Sequence, residues 1–195
     1  SAVYYFRLYS LAQDIPVPIN TGQSSPSLVI EGSSLVFGVT GLSAGTTTEG
    51  ISLTTNSVPG TIAFGSLAFD SDYSAAYRLQ INTNATEGYQ VFMYNDQPLA
   101  NSYGSPIPAV TGTNESPTTW STGCVSSAVG CFGYHAGDDV LSGPNDSVRL
   151  RFGTDDSYAG VTTTPKEVMY SSLPTDEIND IVYRVRVSVT KPAGA

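Results

Sequence analysis

Charge, lysine and histidine are all scarce in this sequence, and each shortage excludes a class of function. Charged residues are 13% of the chain, about half the usual share. Eight basic residues face 17 acidic ones, for a net charge of −9. This balance argues against nucleic-acid binding, which needs clustered Lys and Arg on phosphates. The single histidine, His135, cannot build a histidine-rich metal site, and the sequence alone identifies no acid–base partner for it, so a packed or loop histidine is favoured.

Long apolar runs and helical periodicity are also missing. No apolar run approaches the ~18 residues of a membrane span, and no segment sustains a 3.6-residue period. The chain begins with Ser1 without a visible signal peptide, which predicts a processed, secreted protein. Its two cysteines, Cys124 and Cys131, favour a disulfide closing a short loop, with structural zinc as the alternative.

Glycine, proline, serine and threonine are abundant, with 19 Gly and 12 Pro beside an apolar fraction of 40%. This composition is typical of many short strands joined by turns around one core. We therefore predict an all-β fold, an antiparallel β-sandwich of immunoglobulin-like or jelly-roll-like type, over residues 28–195. A long loop-rich insertion is predicted between Gln97 and Pro144, where prolines are frequent.

The strongest strand signal is Ile181–Lys191, in which apolar and polar residues alternate. One helical turn is predicted just before it, over Pro174–Asp180. The other predicted strands are Leu28–Ile30, Ser34–Gly38, Gly50–Thr55, Gly60–Phe64, Tyr77–Thr83, Tyr89–Tyr94, Val148–Phe152 and Glu167–Ser171.

The N-terminal segment Ala2–Leu11 is an aromatic-rich strand with Tyr4, Phe6 and Leu8 on one face. Pro16 and Pro18 follow it and favour a stiff, extended connector. Residues 1–27 therefore form a separate unit, a strand on a proline-rich arm.

Catalytic and metal motifs are weak. Gly41–Gly45 matches G-x-S-x-G around Ser43, but turn and strand sequence follows where the elbow requires a helix. We predict no catalytic residues, no enzyme activity and no required cofactor. A Ca²⁺ site built from paired carboxylates, Asp138/Asp139 or Asp155/Asp156, is the one metal site considered, against a solvated acidic surface.

The sequons point outside the cell, whereas a stripe of arginines indicates either an interface or a soluble, protected sheet edge. Three sequons mark Asn84, Asn114 and Asn145 as glycosylation positions. Five of the six arginines fall on the polar faces of predicted strands, namely Arg78, Arg149, Arg151, Arg184 and Arg186. Such a stripe needs carboxylates opposite it, from the same chain or from a neighbour.

Four blocks together resemble a broad group of secreted prokaryotic surface proteins of β-sandwich character: Asn82–Tyr89, Gly130–Asp139, Thr164–Ser171 and Ile181–Gly194. The resemblance covers roughly residues 35–194. It implies an extracellular, cell-surface location and the sandwich fold, and it brings no catalytic residues. In that pattern the final Pro-Ala-Gly is followed by one more strand, which this chain lacks.

These observations predict a structural subunit of an extracellular filament. Its N-terminal strand, through Tyr4, Phe6 and Leu8, would complete the sheet of the next copy, as in donor-strand pilins and biofilm-matrix fibres. The predicted acceptor groove is lined by Tyr183, Val185, Val187 and Val189. Partners are then identical subunits in a head-to-tail polymer, with glycans as a further class and without nucleic acid or membrane insertion. The alternative is a monomeric secreted adhesin or carbohydrate-binding module that binds through Gln97–Pro144.

Overall fold

The computed structural model describes residues 32–100, 104–125, 129–138, 141–142, 151–153 and 156–188, and the backbone of 4–10. One π-helical turn, Ser121–Val125, lies among the strands. The strands are β1 (Tyr4–Ser10), β2 (Leu35–Gly41), β3 (Thr47–Thr48), β4 (Ile51–Ser52), β5 (Ser57–Val58), β6 (Thr61–Ile62), β7 (Asp72–Thr83), β8 (Tyr89–Asn95), β9 (Thr118–Thr119), β10 (Gly130–Ala136), β11 (Ser157–Tyr158), β12 (Lys166–Ser171) and β13 (Thr175–Val187).

Two antiparallel sheets carry the fold. The three-stranded sheet has the order β1-β8-β12, and the four-stranded sheet has the order β10-β13-β7-β2. One apolar cluster takes buried side chains from both sheets, so the sheets pack face to face. This confirms the predicted all-β, antiparallel sandwich. The largest buried side chains of this core include Tyr77, Leu79 and Ile81 from β7, Tyr89 and Met93 from β8, Tyr134 from β10, Met169 from β12 and Tyr183 from β13.

Alternation predicted β7 and β13 correctly. Tyr77, Leu79 and Ile81 are buried, whereas Arg78 and Gln80 between them are exposed. The predicted helical turn over Pro174–Asp180 is wrong, because β13 begins at Thr175 and pairs with β7 along twelve positions. This pairing with β7 gives hydrogen-bond partners to backbone N–H and C=O groups of residues 175–180, and the local sequence alone did not show that β7 would supply them.

The predicted loop-rich insertion contains a strand that sequence patterning missed. All seven residues of β10 are buried, and β10 pairs with β13 along its length. Because it is covered on both faces, β10 shows no polar–apolar alternation. Gly133 is needed there, since a Cβ at that position would lie 2.2 Å from Val110 Cγ1.

The predicted disulfide between Cys124 and Cys131 is confirmed. It joins the π-helical turn to β10, with the two Cα atoms 5.3 Å apart. A second apolar cluster of Val110, Trp120 and Tyr158 packs around it. The disulfide therefore holds the segment before β10 against the outer face of the four-stranded sheet.

Residues 42–58 cover another part of that outer face. Leu53 packs on Ala76 of β7 and Val182 of β13 in a third, small cluster. Ser57 and Leu42 bond to the backbone of Ala76, which anchors this segment to the sheet. Within the described ranges, no helix is long and apolar enough to cross a membrane.

Candidate assembly edge and polar clusters

The candidate assembly site is the edge of β8 that carries β1. Tyr89, Val91 and Met93 of β8 are buried to 1% exposure or less, and β12 pairs with the opposite edge of the strand. β1 pairs with β8 in antiparallel fashion over seven positions. The predicted donor residues share register positions with three buried residues of β8: Tyr4 with Asn95, Phe6 with Met93, and Leu8 with Val91.

The predicted acceptor groove on β13 is wrong. β13 lies between β10 and β7, and both of its edges are hydrogen-bonded. Tyr183, for example, pairs with Tyr134 on one side and with Ala75 on the other. A donor strand needs a free row of N–H and C=O groups, and neither Tyr183 nor Val185 offers one. Val187 pairs with Gly130, and its carbonyl accepts from Asp70 N at 2.8 Å; Val189 lies outside the described residues.

The arginines on the outer face of the four-stranded sheet take their carboxylates from the same chain. Arg78 of β7 donates two hydrogen bonds of 2.9 Å to Asp180 of β13, through Nε and Nη2. Asp180 is buried and also accepts from Thr48 Oγ1 at 2.6 Å. This bidentate pair joins neighbouring strands and ties β3 to them.

A second ion-pair cluster lies at the other end of the same face. Arg184 lies 2.6 Å from Asp156 and 2.9 Å from Asp72, and Arg186 lies 3.2 Å from Asp72. The Arg184 guanidinium also stacks 4.8 Å from the ring centre of Trp120. Burial alone would raise the pKa of Asp72, but hydrogen bonds from Trp120 and the two arginines outweigh it and lower that pKa below its ordinary value.

A polar cleft adjoins this cluster. Its volume is ≈ 300 Å³. Hydroxyl, carboxylate and guanidinium groups line it together with one apolar side chain; the lining includes Ile51, Ser52, Thr54, Asp72, Asp156 and Arg184.

Arg151, another arginine of the predicted stripe, does not extend it. Arg151 lies outside any strand and donates to Asn114 Oδ1 and to the carbonyl of Ser142. Phe152 beside it is buried but also lies outside a strand, which corrects this end of the predicted strand Val148–Phe152. Arg149 and the rest of that segment lie outside the described residues.

Within the part of the chain that the structure describes, the weak catalytic and metal motifs form no recognisable site. Ser43 is exposed in a turn, and no helix follows it. His135 is buried in β10, with Nδ1 2.9 Å from the carbonyl of Ser157. Among the described residues, no group of three His, Cys, Asp or Glu side chains could hold a metal ion. Asp138 is buried and accepts from Tyr170 N at 2.7 Å, while Asp139 and Asp155 lie outside the described residues.

The two sequon asparagines within the described residues differ in their exposure. Asn84 is exposed after β7, where its Oδ1 accepts from Ser34 N at 2.6 Å and its Nδ2 donates to the carbonyl of Gly32 at 3.4 Å, and its glycosylation stays a prediction. Asn114 is 3% exposed, and its Nδ2 donates to Tyr134 Oη and to the carbonyl of Glu167, both at 2.8 Å. The glycosylation predicted at Asn114 is therefore wrong for the folded chain, because a sugar on Nδ2 would break this buried pair. Asn145 lies outside the described residues.

A third polar cluster, which sequence reasoning missed, joins β8 to β12. Ser142 Oγ donates to Glu167 Oε2 at 2.6 Å, and Gln90 Nε2 lies 3.0 Å from Ser142 Oγ. Gln90 Nε2 also donates to Glu167 Oε2 at 2.8 Å. The three residues come from distant segments without a shared motif, so no sequence signal could have found the cluster.

No family model matches this chain, and comparison with curated proteins and with solved structures also gave no match. The resemblance to secreted prokaryotic surface proteins stays a prediction. Any proposal about function therefore rests on the geometry of β1, β8 and the polar clusters.

Proposed function

We propose that the protein is a structural subunit of an extracellular filament, in which β1 of one copy pairs with β8 of the next. The observation that carries this proposal is the register of β1 on β8. β1 forms one edge of the three-stranded sheet and matches a strand whose alternate residues lie in the core. The donor residues are those predicted from sequence, and the acceptor is β8 in place of β13.

The connection between β1 and the rest of the chain permits exchange between copies. β1 ends at Ser10 and β2 begins at Leu35. Fully extended, such a connector reaches ~80 Å. Pro16 and Pro18 in its sequence favour extended conformations. The pairing found within one chain can therefore form, with the same register, between two chains.

Exchange of this kind is directional. The donor strand and the acceptor edge are different surfaces, so each copy would give one strand and receive one, and a contact that does not close on itself builds a filament. Pairing within one chain competes, at an effective concentration on the order of millimolar. Filaments are therefore favoured where chains are crowded or where neighbouring copies make further contacts.

Paired cysteines test the register and the exchange together. Tyr5 lies opposite Tyr94, which stands between the buried residues Met93 and Asn95 of β8. Cysteines at such opposite positions are close enough for a disulfide. Assembled from Tyr5→Cys chains mixed with Tyr94→Cys chains, filaments should give disulfide-linked dimers on a non-reducing gel. The double variant should give longer ladders.

The matched control moves one cysteine along β1. Tyr9 pairs with Gln90, so Tyr9→Cys lies about 13 Å from Tyr94→Cys, and this mixture should not cross-link. If the Tyr5→Cys/Tyr94→Cys double variant forms only intrachain disulfides inside filaments seen by electron microscopy, the donor-strand mechanism is wrong.

A monomeric adhesin or carbohydrate-binding module is the second candidate. Two observations favour it: β1 pairs within its own chain, and the polar cleft beside Arg184 presents hydroxyl and carboxylate groups suited to sugar hydroxyls. A single monomeric mass by light scattering at all concentrations, with glycan binding lost in Arg184→Ala, would support this function over the filament.

A further inference from the structure

Gln90, Ser142 and Glu167 form a compact reactive arrangement. Glu167 Oε2 lies 2.6 Å from the hydroxyl oxygen of Ser142 and 2.8 Å from the amide nitrogen of Gln90. That nitrogen in turn lies 3.0 Å from the Ser142 hydroxyl oxygen. A potential nucleophile, a carboxamide and a carboxylate thus touch one another, although their residues lie on β8, after β10 and on β12.

We propose that Ser142 and Gln90 become joined by an intramolecular ester bond, with Glu167 as the general base. Ser142 Oγ attacks Cδ of Gln90 while its proton passes to Glu167 Oε2, which gives a tetrahedral intermediate. Glu167 then passes the proton to Nε2, the Cδ–Nε2 bond breaks, and ammonia leaves. The products are one Oγ–Cδ ester and one ammonia, so no oxidant or further reactant is needed.

The position of Glu167 suits both proton transfers. A general base must lie within hydrogen-bond reach of the proton that it takes. Here the same carboxylate oxygen contacts the attacking group and the leaving group, while the other oxygen, Oε1, is held by the backbone N–H of Ser142. The Ser142 hydroxyl is held beside the Gln90 carboxamide, with 3.0 Å between Oγ and Nε2, so the reaction avoids much of the entropic cost of bringing two separate molecules together.

Hydrogen bonds from neighbouring residues hold Ser142 and Glu167 in place. Arg151 donates to the carbonyl of Ser142 and to Asn114, and Asn114 donates to the carbonyl of Glu167. The guanidinium thus brings positive charge close to the site, where the intermediate carries negative charge on the former amide oxygen. Glu167 is 7% exposed, and Gln90 and Ser142 are half-buried, so the site is partly shielded from bulk water.

The bond would tie β8 to the segment that follows β10. It rests on the geometry of these three residues and requires no filament. In a filament it would also anchor the strand that receives β1, so that tension on the β1–β8 contact passes into a covalent link.

Mass spectrometry of the full chain, reduced and denatured, tests the proposal. We expect a mass below that of the sequence by one molecule of ammonia, and a protease digest in which the Gln90 peptide is linked to the Ser142 peptide. Hydroxylamine should release the link. Ser142→Ala and Glu167→Gln should each restore the full mass, and circular dichroism should show that both variants remain folded.

Ser74→Ala is the matched control. Ser74 is a buried serine, whose hydroxyl donates to the carbonyl of Ser52 at 2.9 Å with no amide side chain in that bond. This variant should keep the mass deficit. A wild-type chain of full sequence mass, or a deficit that persists unchanged in Ser142→Ala, would overturn the ester.

Discussion

The two sheets of the sandwich differ in how they are completed. The four-stranded sheet uses residues between Leu35 and Val187, and its central strands β7 and β13 pair along twelve positions. In the three-stranded sheet, β8 is flanked on one side by β12 and on the other by β1. β1 comes from the far end of a long connector. One sheet is therefore built from the body of the chain alone, whereas the other takes an edge strand that a second copy could also supply.

We infer from this difference that the four-stranded sheet determines stability, whereas the β8 edge serves the proposed assembly. The central strands of the four-stranded sheet have no free edge for a partner, and the ion pairs on its outer face are formed within the chain. The β8 edge needs only a strand of suitable register. Changes in the four-stranded sheet should therefore alter folding, and changes in β1 should alter association.

Deletion of residues 1–13 should have the largest effect. In the proposed filament it removes every donor strand, so electron microscopy should show no filaments. Hydrogen exchange should show loss of amide protection in β8, while β7 and β13 keep theirs, because their ladders do not include β1. Intact assemblies after the deletion would contradict the proposed function. Equal loss of amide protection in both sheets would show that the four-stranded sheet also depends on β1.

Tyr183→Ala should destabilise the four-stranded sheet by about 3–5 kcal/mol, because it empties a core position. Tyr183 is fully buried, with ring contacts to Tyr77 at 5.8 Å and to Phe132 at 6.2 Å. Urea unfolding measures the change. Ile178→Ala on the same strand is the control: Ile178 is 53% exposed, so we expect a change within about 0.5 kcal/mol. Similar losses for both would show that β13 is not packed as described.

Removal of the disulfide, as Cys124→Ala with Cys131→Ala, should lower the free energy of unfolding by about 2–3 kcal/mol, because the closed loop is short. The wild-type chain under reducing conditions should show a similar loss. Since the bridge lies against the four-stranded sheet, the proposed filament formation through β8 should persist. If assembly were lost without any loss of stability, the four-stranded sheet would contribute to assembly more directly than we infer.

Asp72→Asn should have the smallest effect, about 0.5–1 kcal/mol at neutral pH, because the ion pairs are partly exposed and screened by solvent. The folded state lowers the pKa of Asp72. Its stabilising contribution is therefore present above the unfolded pKa of about 3.9 and is lost as pH falls through the lower folded value.

The free energy of unfolding, measured with a chemical denaturant at several pH values, checks the direction of this pH dependence. Wild type and Asp72→Asn should differ most near neutral pH and converge in acid. Asp176→Asn, an exposed position on the same β13 strand, serves as the control and should track wild type. A difference that grows on acidification would contradict the assigned pKa direction.

The core face of β7, and that of β13 at Ile181, Tyr183 and Val185, could be predicted from the sequence, because burial of one sheet face leaves a period of two. Tyr89–Tyr94 is apolar on both faces, so alternation did not identify the core face of β8. β10 left no such trace, since both of its faces are covered. The same limit explains the wrong acceptor groove: alternation in Tyr183 and Val185 reports which face is buried and carries no information on which strands lie alongside.

Polar contacts were less predictable than the core. The arginine stripe correctly called for opposing carboxylates, and Asp180 and Asp72 supply them for Arg78 and Arg184. A sequon cannot show that Asn114 would be buried. Nor could any spacing bring Gln90, Ser142 and Glu167 together, because their contact depends on how β8 and β12 pair.

By itself, then, the sequence determined the all-β class, the inward faces of the alternating strands and the cysteine pair, because composition, periodicity and short spacing are local properties. Only the tertiary structure decided that β13 is a central strand and that β1 lies on β8. It also decided that a serine, an amide and a carboxylate meet between β8 and β12. Strand pairing is made by backbone groups that every residue carries, so the choice of neighbour emerges only when the whole chain has packed.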